Sequence, residues 1–206
     1  MSKLATDVRL IGGLLFAHIL LFFCYQESPV VFWYLYTATS LFLISIAIIS
    51  ENIDDQLSIA SYLSFGVISG LLLYGVFWIG NFVVELGNLR YLSNQIAELY
   101  NAYSPTMAWH FALLILIIIP GEEIFWRGFV QKRLYQYFSN PTFIILLSAV
   151  FYSLPLLYAQ NLVLLLAGLV CGIIWSSLYH WKRSIPLVII SHLVFDLLLL
   201  KILPLQ

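Results

Sequence analysis

Seven apolar runs of near-spanning length recur along the chain, at about 10–25, 30–50, 59–84, 106–125, 142–159, 162–181 and 185–203. Short breaks separate them: Ser28-Pro29, the acidic stretch 51–56, the long polar stretch 88–105, Asn140-Pro141, Gln160-Asn161 and Arg183-Ser184. About 20 apolar residues is the length a helix needs to cross a hydrocarbon core of about 30 Å. The pattern predicts an all-α, polytopic transmembrane helix bundle of about seven spans. The fourth helix is expected to run on past Arg127 to about Tyr137, emerging into water. Residues 89–103 alternate loosely between apolar and polar and are expected to lie along the interface as an amphipathic helix. No internal repeat is visible.

Composition agrees. Of 206 residues, 62% are hydrophobic and 9% charged, against about 25% charged in soluble domains. The net charge of −1 points to neither nucleic acid nor a polybasic membrane anchor. The polar start, residues 1–9, leads into an apolar run without a small-residue cleavage site, so the first segment is expected to be a retained helix. The end, Pro204-Leu205-Gln206, carries no CAAX cysteine, and the chain is not expected to be prenylated itself. Cys24 and Cys171 are distant and apolar in context, which predicts neither a disulfide nor a metal pair. With the N-terminus cytoplasmic, seven spans put Lys3, Arg9, Arg127, Lys132, Arg133, Lys182 and Arg183 inside and only Arg90 and Lys201 outside. The positive-inside rule selects that orientation, with the C-terminus outside.

Most acids (Asp7, Glu27, Glu51, Asp54, Asp55, Glu85 and Glu98) fall at helix ends or in loops, where hydration is expected. Glu122, Glu123 and Asp196 remain in apolar surroundings, at about 2.5–3.5 kcal/mol each on the lenient insertion scale. Glu123 and Arg127 stand four apart, as an ion pair within one helix requires. Glu122 has only Ile118 and Trp126 at that spacing. A carboxylate left among apolar groups is a usable proton acceptor near neutrality. His192 and Asp196 share a helix face about 6 Å apart along the axis, either as a hydrogen-bonded pair or as groups facing a substrate carbonyl. His110 is expected to anchor the outer interface, His180 to sit in an aromatic-basic belt with Trp181 and Lys182, and His18 to be a satisfied core group. Gly66, Gly70, Gly75, Gly80 and the pair Gly168 and Gly172 are expected to let helices approach closely.

Glu122-Glu123-Ile124-Phe125-Trp126-Arg127, with His192 four residues before Asp196, resembles the EExxxR and terminal His motifs of the CPBP family of intramembrane proteases. That family includes the type II CAAX prenyl endopeptidases and bacteriocin-processing and immunity relatives. The resemblance covers about residues 105–203, making 105–206 the catalytic-core helices and 1–104 a variable N-terminal part of one membrane unit. It departs at the second motif, Phe-x-x-x-His: Phe151 fits, but Pro155 stands where the histidine belongs, and it is expected to kink the fifth helix.

The resemblance implies an endopeptidase in which Glu122 activates water, Glu123 and Arg127 support it, and His192 and Asp196 orient water or steady an oxyanion. The implied substrate is a peptide or lipidated peptide reached from the cytoplasmic side or laterally from the bilayer, in a cell membrane of bacterial type. No cofactor is assigned; zinc is disfavoured, because one histidine plus carboxylates falls short of the usual catalytic ligand set. Two alternatives stand beside this: a non-catalytic relative acting in peptide binding, immunity or scaffolding, and a proton-coupled transporter, which the absent inverted repeat disfavours.

Overall fold

A computed structural model describes residues 7–53, 55 and 57–205. Lys3 and Asp54, placed above at aqueous ends, and Gln206 lie outside the described residues. The described residues form eight helices, seven of them long and apolar enough to cross a membrane. They are α1 (Val8–Gln26), α2 (Pro29–Ser50), α3 (Ile59–Leu86), the short α4 (Arg90–Tyr103), α5 (Ala108–Leu134), α6 (Pro141–Ala159), α7 (Leu162–Lys182) and α8 (Ile185–Ile202). The starts are chemically ordinary. Asn140, Asn161 and Ser184 each accept a hydrogen bond from a first-turn N–H, and prolines follow at the first turns of α6 and α8. Cys24 and Cys171 are both free.

Helix α4 matches its expected amphipathic character and buries none of its described residues. The up-and-down order puts Arg9, Lys132, Arg133, Lys182 and Arg183 at one end of the bundle, and α4, Arg90 and Lys201 at the other.

The fourth span departs from expectation. Rather than entering water after Arg127, α5 stays inside the protein to Leu134: Arg127 and Gln131 are fully buried and Arg133 nearly so. Its polar groups find partners there. Gln131 donates to the Ser176 carbonyl at 2.9 Å, and Arg133 reaches Asp7 on α1 at 2.6 Å and Glu51 at the end of α2 at 3.0 Å. Asp7 is consequently buried, not hydrated, and it also accepts from Tyr137 Oη and the Leu10 N–H.

Close helix approach is concentrated at a few glycines. A Cβ on Gly70 of α3 would lie 2.6 Å from the Ser191 carbonyl oxygen and 2.8 Å from Val194 Cβ of α8. One on Gly66 would meet Ile190 at 2.7 Å. Gly172 of α7 is similarly tight against Ala149 of α6, at 3.0 Å. Gly75 and Gly80, expected to serve the same purpose, do not: no described neighbour would come within 4 Å of their Cβ.

Two outcomes are expected. Gly70→Ala should destabilise the detergent-solubilised protein by about 1–3 kcal/mol through overpacking against α8 backbone. Gly75→Ala should be neutral or stabilising by up to about 1 kcal/mol, because alanine is the better helix former; thermal or denaturant unfolding of both variants checks this. For Asp7, burial opposes the charge, but Arg133, Tyr137 and the Leu10 N–H outweigh it and hold the carboxyl below its ordinary 3.8. A lowered folded-state value means the stabilisation is complete above about 3.8 and disappears as pH falls through the folded-state value. Asp7→Asn should therefore lose on the order of 1.5–3 kcal/mol at neutral pH, and its deficit against wild type should narrow in acid unfolding series below that point.

Candidate active site

Pro120 sits inside α5 and supplies no backbone N–H, so the regular ladder cannot pass through it unchanged. The helix widens into π turns over Leu114–Ile118 and Ile124–Gln131, with one α-helical stretch, Ile119–Glu123, between them. The two acids lie in that stretch. Neighbours in sequence, they point to different surroundings: Glu122 is part-exposed and lines a cavity, while Glu123 is fully buried behind it.

Glu123 is held by charge. Arg127 Nη1 lies 3.2 Å from its Oε1 and 3.1 Å from its Oε2, so the expected ion pair within one helix is present. His192 Nδ1 of α8 lies 2.7 Å from the same Oε1. The Arg127 guanidinium carbon sits over the Tyr152 ring at 4.5 Å and the Trp175 ring at 5.4 Å. Aromatic faces thus share the burden of a positive charge removed from water.

Glu122 is held by hydroxyls from two other helices. Tyr36 Oη of α2 donates to Oε1, and Tyr152 Oη of α6 donates to Oε2 at 3.0 Å. Gly121 permits the first contact: a Cβ there would be 3.1 Å from Ser40 Cβ, so α2 packs directly on the acidic turn, one helical turn beyond Tyr36. Gly172 permits the second, since its Cβ would press on Tyr152 Cδ1 at 3.2 Å.

On α8, His192 stacks on Trp175 of α7 with ring centroids 3.8 Å apart and planes 25° apart. Trp175 Nε1 donates to Ser191 Oγ at 3.3 Å, which holds the stacking partner in place. His192 Nε2 faces Asp196 Oδ2 at 3.5 Å, the longest and loosest contact in the cluster.

Glu122, His192 and Asp196 line one cavity of about 520 Å³. Its remaining walls are mostly apolar and draw on all eight helices, α1 through Tyr25 alone. From Glu122, His192 and Trp175 near the middle of the bundle, most of the lining extends toward the α4 end, reaching Tyr100, Tyr103 and Leu205. The cavity therefore leads away from the end where Arg133, Lys182 and Arg183 cluster.

Glu122, Glu123 and His192 each bring one possible ligand atom within 4.8 Å of the others. As arranged, the set does not suit a resident zinc ion. It holds one imidazole, whose two nitrogens both face carboxylates, and a permanent guanidinium charge already sits against Glu123. Catalytic zinc usually has three ligands free for it, commonly including two histidines.

The other histidines lie elsewhere. His110 is buried, stacked on Trp33 at 4.8 Å, and its Nδ1 accepts the Thr106 and Met107 N–H groups at 3.1 and 3.3 Å. It is a cap at the start of α5, not an exposed interface anchor. His18 is satisfied by Tyr158 Oη at 3.0 Å, as expected, and His180 pairs with Tyr135 Oη at 2.7 Å. Pro155 is buried where α6 tightens into a 3₁₀ turn over Leu154–Ala159, with Tyr152 and Leu156 lining the cavity on either side. Tyr36, Tyr152 and Trp175 escaped the sequence reading. The available signal for Tyr152 was its place directly after Phe151, in the stretch compared above with the second motif.

No curated protein and no solved structure matches the chain. One family profile does, described as Type II CAAX prenyl endopeptidase Rce1-like and aligned to residues 104–198. That stretch contains both acids, Arg127, Tyr152, Trp175, His192 and Asp196. Residues 104–198, which carry most of this site, belong to the Rce1-like family of type II CAAX prenyl endopeptidases, within the CPBP group.

Proposed function

We propose that the protein is an intramembrane endopeptidase that hydrolyses a peptide or lipidated-peptide bond with water activated by Glu122. The supporting observation is the convergence of Glu122, His192 and Asp196 on one wall of an apolar cavity deep in the bundle. A carboxylate offers about four lone-pair sites, and the two tyrosine hydroxyls take two of them. Glu122 keeps acceptor capacity for a water molecule. In this reading Glu122 takes the proton as the water oxygen adds to the scissile carbonyl carbon. It returns that proton to the amine nitrogen as the C–N bond breaks. His192 Nε2, whose contact with Asp196 is long, is the N–H placed to turn toward the developing oxyanion. Glu123 and Arg127 lie behind the wall and act by holding His192 and the acidic turn, without touching substrate.

The apolar walls suit a hydrophobic side chain or lipid tail, consistent with the activity for which the matched family is named. The substrate approaches from the α4 end or from the bilayer. A bacterial-type membrane with cytoplasmic N-terminus and external C-terminus completes the proposal; that orientation would place the α4 end outside.

One feature favours the non-catalytic alternative, a peptide-binding or immunity protein on the same fold: Pro155 replaces the second-motif histidine. The two readings diverge on Glu122→Gln. General-base catalysis contributes about 10²–10⁴-fold, so this variant should lose at least about 100-fold in kcat on an internally quenched prenylated CAAX peptide while its unfolding midpoint holds. Equal behaviour of wild type and variant would favour binding. Orientation is checked separately: a periplasm-active reporter fused after Leu205 should be active, and a cytoplasm-active one silent.

A further inference from the structure

Among the described residues Glu122 has no cation within ion-pair distance: Arg127 pairs with Glu123, and His192 lies between Glu123 and Asp196. The groups that touch its oxygens are two neutral hydroxyls, one on each oxygen, from helices on different sides of α5. Two donors fixed to two oxygens set both the position and the rotation of a carboxylate, which a single partner cannot do. Each tyrosine is itself constrained. Tyr36 packs on Phe32 with ring centroids 5.1 Å apart, and Tyr152 is covered by the Arg127 guanidinium. The motif position that would carry a histidine is Pro155, a buried ring with no donor.

We propose that Tyr36 and Tyr152 are positioning residues for Glu122 and together replace the absent second-motif histidine. The inference rests on the proteolytic reading above for its kinetic consequence, but not for the hydrogen bonds themselves. The hydroxyls keep the carboxylate turned so that its free lone pairs face the cavity. They also hold the charge without a formal cation, which leaves Glu122 able to accept and return a proton.

Tyr36→Phe, Tyr152→Phe and the double variant of the full chain test this in detergent, since phenylalanine keeps the ring and removes only the oxygen. Two readouts are taken. The first is kcat and KM on the quenched prenylated CAAX peptide, with Tyr135→Phe as a tyrosine control outside the cavity. The second is the infrared carboxyl band of Glu122, identified as the one missing in Glu122→Gln. Each single variant is expected to lose about ten- to a hundredfold in kcat, the scale of a misplaced catalytic group. KM should stay within about twofold, the unfolding midpoint should hold, and the Glu122 band should move in both variants. A wild type that does not cleave the peptide, with the band still moving, would overturn the proteolytic reading and uphold the tyrosines as the groups holding Glu122. An unmoved band in both variants, or wild-type kcat in the double variant of an active enzyme, would overturn the proposal.

Discussion

Two adjacent carboxylates placed inside an apolar bundle set the constraint that organises this molecule. Neither can be left without partners there, and α5 alone supplies a partner for only one. Glu123 takes Arg127 from its own helix and His192 from α8. Glu122 takes hydroxyls from α2 and α6. Satisfying the acids thus ties three other helices, α2, α6 and α8, to one turn of α5, and Trp175 adds α7 by stacking on the histidine. The polar cluster specifies how these helices meet, which general apolar packing in a bilayer does weakly, since lipid is as apolar as the core.

That meeting needs backbone freedom and close approach, and both trace to particular residues. Pro120 interrupts the ladder, and π turns on either side take up the change, a distortion that recurs at functional sites. Gly121 brings α2 near, Gly172 brings α6 against α7, and Gly70 seats α8 on α3 just where Ser191 precedes His192. At the far end, Asp7, Arg133, Glu51 and Tyr137 form a second buried polar knot that joins the starts and ends of α1, α2 and α5. The acidic turn therefore sits between a locked basic end and an opposite half into which most of the cavity extends.

All seven spans were legible, because a run of about 20 apolar residues has few other readings. So were the pairs four residues apart, Glu123 with Arg127 and His192 with Asp196, because helical periodicity makes them neighbours. What could not be read were the partners that meet only through tertiary packing. Tyr36 and Glu122 are 86 residues apart, and Tyr152 and Glu122 are 30 apart. A tyrosine in an apolar run looks like any other interface or core aromatic. The same blindness explains Arg133 and Asp7: polar residues near a span end read as hydrated unless a partner on another helix is known. Gly75 and Gly80 show the converse, since a small residue permits close approach but does not require it.

The matched segment, residues 104–198, does not complete the site by itself. Tyr36 lies well before it and supplies one of the two donors to Glu122. Phe32, Trp33 and several residues of α3 and α4 build apolar walls of the cavity that Glu122 faces. Motif matching is blind to this contribution, because the N-terminal helices need only deliver a donor and a surface of the right shape, for which many sequences serve. The second motif makes the same point from the other side. Pro155, where the resembled motif would have a histidine, looks disabling when the motif is read as a string. In three dimensions the carboxylate of Glu122 has hydrogen bonds from a hydroxyl one turn earlier than Pro155 and from another on α2. Whether a chain of this family retains a supported acid is therefore a question about everything packed around α5, including helices that carry no motif at all.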